Sequence, residues 1–157
     1  MFTKFVAESR AAVQEAREIA RRLDSPTVEA EHLLLAVAHE SGTTAHAVLA
    51  ETGLDYERIQ GALEAEVEES LAAVGVELAA FDLSSTPAAT RTPRWGSSAK
   101  LALHRAAKLA DARRDRRLRA GHIVLGVLRA PAGTVPRALD RAGIDRAELG
   151  RRIAATL

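Results

Sequence analysis

The sequence contains no cysteine, and its 157 residues include only one tryptophan, one tyrosine and three phenylalanines. The absence of cysteine excludes a disulfide framework and a thiolate metal site, and it fits a reducing compartment. No segment reaches the roughly 18 apolar residues of a membrane span, and the N-terminus has no apolar signal core. We therefore expect a soluble, cytoplasmic protein with no membrane partner.

The motifs of common enzyme classes are missing as well. The chain has no Gly-x-x-x-x-Gly-Lys-Ser/Thr loop that could hold a nucleotide phosphate. It also lacks a nucleophile paired with a base and a cluster of metal ligands. We therefore predict that the chain is not an enzyme and that it needs no cofactor or metal.

The composition indicates helices. Hydrophobic residues make up 47% of the chain, with Ala and Leu dominant, whereas aromatic residues make up 3%. There are few long β-branched runs of the kind that favour strands. We predict an all-α fold, and the chain is long enough to bury a sizeable core.

The chain repeats itself at a constant offset of 90 residues. The clearest match pairs Glu31-His32-Leu33-Leu34-Leu35-Ala36-Val37 with Gly121-His122-Ile123-Val124-Leu125-Gly126-Val127. Small residues also match, since Ala12, Ala16 and Ala20 correspond to Ala102, Ala106 and Ala110. Alanines spaced by four lie on one helical face. The repeat therefore predicts two similar helical units that share a core.

Apolar spacing and helix breakers predict eight helices, four in each repeat. The first is expected from Phe2 to Leu23, about six turns. The others are expected over about 30–39, 44–51, 55–71, 97–114, 120–129 and 134–141, and from 145 to the end. The acid cluster Glu64, Glu66, Glu68 and Glu69 is expected on the solvent side of the fourth helix.

The formal net charge of +1 hides a division along the chain. Residues 1–80 hold 15 acids and 6 bases, a net charge of −9, whereas residues 81–157 hold 6 acids and 16 bases, a net charge of +10. Halves of opposite sign attract each other, and each offers a different surface to partners.

The repeat resembles the double Clp-type N-terminal domain at the front of Hsp100 unfoldases, and most closely the ClpC kind. The resemblance rests on Met1-Phe2, Phe5, the two matched core segments and the two Leu-x-x-x-Gly closures at Leu49 and Leu139. It implies one domain over 1–157, with repeat 1 at about 1–74, a linker at about 75–94 and repeat 2 at about 95–157. The two four-helix repeats would be related by a pseudo-twofold axis.

In that family the domain is not catalytic. It receives protein substrates, adaptors, phosphoarginine-marked chains and, in some actinobacterial members, cyclic peptide antibiotics. The resemblance implies a binding module with such partners, including peptide-like small molecules and Clp ATPase or protease components. As a free-standing relative without an ATPase module, it would be a decoy that sequesters ligands or an adaptor that presents them; as an excised domain of a longer unfoldase, it would be the substrate receptor. We expect a monomer.

The family also suggests where ligands bind, in a groove formed by the first helix of each repeat. Phe2 and Trp95 match its entrance aromatics, and Lys100 matches a lining position. Gln14, Arg17 and His104 depart from the family and change the polarity beside these positions. The expected ligand-binding residues are Phe2, Gln14, Arg17, Trp95, Lys100 and His104. The alternative is that Phe2 and Trp95 pack into the core.

A phosphoarginine site needs a carboxylate for the guanidinium and donors for the phosphate. Glu31 matches the family's carboxylate in repeat 1, whereas its equivalent in repeat 2 is Gly121. The resemblance therefore implies one site, at Glu31. The alternative is that Glu31 is an acid favoured by a helix N-terminus.

Two further features suggest other chemistry. His32 and His122 recur at one position, and a histidine within an apolar stretch is more often a core residue bonded to the backbone than a metal ligand. The run from Arg113 to Arg119 contains five arginines, so a nucleic-acid-binding regulator is the alternative function. Because the run has no interleaved aromatic residue, we expect it to serve solubility or to dock an acidic partner.

Overall fold

A computed structural model describes residues 5–76 and 91–157, and helices dominate this part of the chain. Repeat 1 contains α1 (Ala7–Arg22), α2 (Ala30–His39), α3 (Thr44–Glu51) and α4 (Tyr56–Ala73). Repeat 2 contains α5 (Ser97–Ala112), α6 (Ala120–Leu128), α7 (Thr134–Arg141) and α8 (Arg146–Ala154). The predicted all-α class and the eight helices are confirmed within the described residues.

Local signals explain several helix starts and ends. The side chains of Thr43, Asp55 and Asp145 each accept a hydrogen bond from the backbone N–H three residues further on, which starts α3, α4 and α8. Gly53 and Gly143 have φ values of +77° and +74°, and they follow α3 and α7. A positive φ ends a helix and is strained in other residues, so glycine is favoured at both positions.

The first helix begins later than predicted. Phe5 does not extend α1, because its backbone forms a parallel bridge with Leu118 of repeat 2. The Val6 N–H donates to the Leu118 carbonyl oxygen at 3.4 Å, and the Ser9 hydroxyl donates to the same oxygen at 2.6 Å. The predicted six-turn helix was therefore wrong at its start, since pairing with a distant segment holds Phe5 outside the helix.

The predicted solvent exposure of the acid cluster was wrong for Glu66, whose residue is 1% exposed. Arg137 donates through Nε to its Oε1 at 2.5 Å, and Arg141 lies 2.8 Å from its Oε2. Ser70 donates its hydroxyl to Oε1 at 2.7 Å. Glu66 therefore joins α4 of repeat 1 to α7 of repeat 2. Glu64, Glu68 and Glu69 are exposed, as predicted.

The core lies around α2 and α6, which are buried over nearly their whole length. The six matched alanines of α1 and α5 are fully buried and allow these helices to approach α2 and α6. Gly126 of α6 makes a still closer approach, because a Cβ there would overlap the Ala102 carbonyl oxygen of α5. One continuous hydrophobic cluster includes residues from both repeats.

Reciprocal contacts show the pseudo-twofold relation between the repeats. The strands β1 (Thr27–Val28) and β2 (Arg94–Trp95) pair in parallel, with Val28 opposite Trp95. At the offset of 90 residues, this pair corresponds to the bridge between Leu118 and Phe5. In each pairing, an extended segment of one repeat therefore forms backbone contacts with an extended segment of the other repeat.

The same symmetry governs helix capping. The Ala30 N–H at the start of α2 donates to Ser98 Oγ at 2.9 Å, and the Ala120 N–H at the start of α6 donates to Glu8 Oε1 at 3.1 Å. Ser98 and Glu8 are equivalent positions. Each repeat thus provides the acceptor for a backbone N–H at the start of the other repeat's second helix, which has no partner within its own helix.

The predicted linker, 75–94, falls largely outside the described residues, since 77–90 are not described. The repeat boundaries remain predictions. Within 5–76 and 91–157, no helix combines the length and apolarity needed to cross a bilayer.

Candidate functional site

A groove of about 690 Å³ lies between α1, β2 and the first half of α5. We call it the α1–α5 groove. Its lining is Phe5, Val13, Arg17, Trp95, Lys100, Leu101, Leu103 and His104. The groove therefore joins an apolar surface to three side chains that carry or can carry positive charge.

Trp95 is the one tryptophan of the chain and lines the groove. Its backbone is fixed by β2, which pairs with β1 of repeat 1, and its side chain is only partly buried. The Arg17 guanidinium lies 5.4 Å from the centroid of its ring, within the range of a cation–π contact. Leu101 of α5 is 52% exposed, so a large apolar residue remains open beside the tryptophan.

The polar lining has unused hydrogen-bonding capacity. Arg17 Nε is buried and has no hydrogen-bond partner among the described residues. Lys100 and His104 are exposed and lie one turn apart on α5. No carboxylate belongs to the lining. The groove therefore offers donors and positive charge beside an apolar surface, and its described lining contains no negatively charged acceptor.

Four of the six sequence-predicted residues meet in this groove, namely Arg17, Trp95, Lys100 and His104. Gln14 is exposed on α1 but does not line the groove. Phe2 lies outside the described residues. The alternative that Trp95 is a core residue holds only in part, since its ring packs against the core and also faces the groove.

Sequence reasoning missed Phe5, Val13, Leu101 and Leu103 as lining residues. Leu101 had a detectable signal. The core face of α5 is marked by Ala99, Ala102, Ala106 and Ala110, and Leu101 lies on the opposite side of the helix. Leu103, four residues after Ala99, falls on the core spacing and packs partly against the core.

Glu31 lies in a different place, a pocket of about 290 Å³ between α2, α5 and the segment before α7. Burial raises the pKa of Glu31, and the nearby Glu29 carboxylate adds to this effect. Arg105 lines the same pocket. The pocket therefore contains two carboxylates, Glu29 and Glu31, and one guanidinium, and it shares Leu101 with the α1–α5 groove.

The recurring histidines are helix-capping core residues, as predicted. His32 is 4% exposed and His122 is fully buried. His32 Nδ1 accepts the Glu29 N–H at 2.8 Å, and His122 Nδ1 accepts the Arg119 N–H at 2.9 Å. The second ring nitrogen of His122, Nε2, contacts the Asp115 carboxylate at 2.9 Å.

The five arginines between 113 and 119 lie at the end of α5 and in the loop before α6. Arg113 pairs with Asp115 at 3.0 Å, and Arg119 donates to the Thr156 carbonyl oxygen at 3.2 Å. Arg114, Arg116 and Arg117 are exposed and form no ion pair with the described residues. The first two contacts are structural, which leaves three arginines open to solvent.

The fold matches those of solved structures. The N-terminal domain of the Clp-associated chaperone ClpD from Arabidopsis thaliana superposes with a TM-score of 0.69 at 17% identity, covering 99% of this chain and 95% of that one. The Hsp104 N-terminal domain from Candida albicans gives 0.66 at 16% identity, covering 96% and 89%. A protein of a malarial secretion system gives 0.63 at 15% identity, covering 98% and 97%.

Sequence comparison gives the more specific result. No curated protein matches the chain significantly. The profile of the Clp repeat (R) N-terminal domain matches residues 4–92 and 95–157, which is nearly the whole chain and both repeats. Together with the reciprocal contacts between the repeats, this match shows that the chain belongs to the Clp repeat N-terminal domain family.

Proposed function

We propose that this domain is a non-enzymatic binding module of the Clp unfoldase system, which holds protein substrates or adaptors in the α1–α5 groove. The observation that supports this proposal is the groove itself. An accessible tryptophan and an exposed leucine lie beside unpaired donors at a site where two repeats meet. Large rigid aromatic residues and arginine dominate the energetics of protein interfaces.

Labelled casein is a suitable unfolded probe, and its binding should raise the anisotropy of the label. Trp95 is the only tryptophan in the chain, so its fluorescence follows the binding of peptides that lack tryptophan. Leu101→Asp should weaken binding about tenfold, since a charge would enter the apolar surface. Leu23→Asp is the matched control, because Leu23 is 43% exposed and lies outside the groove. Equal affinities of the two variants would remove the groove from the proposal.

Peptide-like small molecules, including cyclic peptide antibiotics, are a finer proposal for the same groove. A competition experiment addresses it, in which a cyclic peptide displaces labelled casein from the wild-type domain. A decoy would also protect casein from degradation by a Clp unfoldase and protease pair, whereas an adaptor would accelerate that degradation.

We also propose Glu31 as a phosphoarginine-binding residue. The pocket supports this role, since the Glu31 carboxylate is a partner for a guanidinium and Arg105 in the same lining is a cation for the phosphate. Titration with free phosphoarginine, followed by NMR of the α2 amides, should give shifts that Glu31→Gln abolishes. Unchanged binding by this variant would reject the role.

The alternative function, nucleic-acid binding, would use the exposed Arg114, Arg116 and Arg117. A fluorescent duplex and a single strand, tested at about 20 mM salt, decide this alternative, because phosphate binding is strongest at low salt. Absence of binding to both would exclude it.

A further inference from the structure

Among the described residues, those that line the α1–α5 groove include positive side chains and no carboxylate. Arg17 contributes from α1, and Lys100 and His104 contribute from α5. Lys108 is exposed one turn beyond His104 and extends the same stripe. The exposed carboxylates Glu64, Glu68 and Glu69 lie on α4, which packs against α7 instead. The groove therefore faces its ligand with positive charge.

Arg17 points to the kind of group that completes the site. Its Nε is buried without a described hydrogen-bond partner, although buried polar groups normally have one. Its guanidinium lies over the Trp95 ring. In this position the apolar part of a ligand can pack on Trp95 while an acceptor reaches the edge of the guanidinium. A carboxylate suits that edge best, since charge-assisted bonds to arginine are stronger than neutral ones.

The apolar lining requires a second feature of the ligand. Leu101, Leu103 and Val13 form a surface beside Trp95 that one large apolar side chain would cover. A purely acidic segment would leave this surface in water, and a purely apolar segment would leave the Arg17 guanidinium without an acceptor. Both parts of the groove are satisfied only when apolar and acidic residues are close together in the ligand.

Resting on the proposed function, we propose that the α1–α5 groove selects acidic amphipathic peptide segments. One large apolar side chain packs between Trp95 and Leu101, and a flanking Asp or Glu pairs with Arg17 and is attracted by Lys100. This selectivity separates one class of protein segment from neutral and basic ones with the same apolar residues.

Three peptides of about twelve residues test the proposal. They share one Leu and Phe core and differ in their flanking residues, which are Glu, Gln or Lys. Titration followed by Trp95 fluorescence should show that the Glu peptide binds about tenfold more tightly than the Gln peptide at 50 mM salt. The difference should shrink at 500 mM salt, because salt screens exposed charges.

Two variants test which side chains cause the preference for the Glu peptide. Arg17→Gln should reduce the affinity for the Glu peptide to about that for the Gln peptide. Lys100→Gln should lower it about threefold, since Lys100 is exposed and contributes mainly long-range attraction. Arg21→Gln is the matched control on α1, because Arg21 pairs with Glu18 and lies outside the groove. Circular dichroism checks that each variant is folded.

The outcomes separate this proposal from the proposed function. Equal binding of all three peptides, each weakened by Leu101→Asp, would overturn the acidic preference and leave the binding module intact. The same conclusion follows if no peptide binds while casein still binds in a Leu101-dependent manner. If neither the peptides nor casein binds, both proposals fail.

Discussion

At the scale of the residue, Glu66 is the clearest case of a side chain whose role depends on its partners. It is nearly fully buried, whereas the side chains of Arg137 and Arg141 are 53% and 42% exposed. The hydrogen bond from Arg137 is the main cause that lowers the pKa of Glu66. A buried charge is tolerated when it is paired and becomes costly when its partner is removed.

This difference in burial predicts that removing the two arginines costs more stability than removing the charge of Glu66. The double variant Arg137→Gln/Arg141→Gln should lower the free energy of unfolding more than Glu66→Gln does, because it leaves an ionised carboxylate buried without an opposite charge. Urea denaturation measures both values. Arg152→Gln serves as a control, since its ion pair with Glu51 is exposed and should be worth at most about 0.5 kcal/mol. A larger loss in Glu66→Gln would contradict this account.

The protonation of His32 should make the stability of the domain depend on pH. Burial lowers the pKa of His32 below its ordinary value, and its Nδ1 must stay unprotonated to accept the Glu29 N–H. The stability linked to neutral His32 is therefore present above the pKa of unfolded histidine, about 6.5, and is lost as pH falls toward the lower folded pKa.

NMR titration of the His32 ring should give a midpoint below that of a model histidine peptide. Urea denaturation at pH 7.5 and 5.5 should show a loss of stability at the lower pH, and His32→Gln should show less of it. A ring that titrates at the ordinary value would contradict the effect of burial.

At the scale of the element, the packing of α5 on α6 depends on Gly126. Its counterpart in repeat 1 is Ala36, which is fully buried where α2 packs near α1. The equivalent positions therefore differ in whether the facing helix leaves room for a Cβ. No Cβ can be placed at Gly126 unless the backbone of α5 moves, because the overlap would be with the Ala102 carbonyl oxygen.

Gly126→Ala should lower the free energy of unfolding by about 1–3 kcal/mol, since it forces packed helices apart. Gly61→Ala is the matched control, because Gly61 lies within α4 and no atom lies within 4 Å of its added Cβ. This control should be neutral or should stabilise by about 0.5–1 kcal/mol, as alanine favours helix. Thermal and urea denaturation compare the two, and equal effects would exclude the close contact.

At the scale of the whole molecule, the repeats are joined by a common core and by exchanged caps. Ser98 of repeat 2 caps α2, and Glu8 of repeat 1 caps α6. Glu66 links α4 to α7, and the paired segments Thr27–Val28 and Arg94–Trp95 link the repeats again. Neither repeat contains all of the groups that complete its own helices.

This interdependence predicts a single cooperative unfolding transition. Far-ultraviolet circular dichroism follows the helices of both repeats, whereas fluorescence follows Trp95, which lies at the junction between them. The two probes should give the same urea midpoint and slope, as two-state behaviour requires. Two separated transitions would show that the repeats are independent units.

Local sequence patterns were sufficient to predict much of the fold. The predicted bounds of α2, α3 and α7 agree with the structure to within a residue because apolar spacing and caps such as Thr43 act within one or two turns. The equivalence of His32 and His122 could also be recognised in the sequence, because both repeats use the same capping arrangement. The groove was predicted only from a resemblance, and the leucines that line it were missed.

The sequence by itself determined the all-α class, the two matched repeats and the alanine faces, because these depend on residues close together along the chain. The tertiary structure decided where distant segments meet. It moved Phe5 out of α1 by pairing it with Leu118, buried Glu66 against α7, and placed Arg17 over Trp95 beside Leu101. Those contacts join residues many turns apart, and their free energy depends on burial and shape, which periodicity along the chain does not encode.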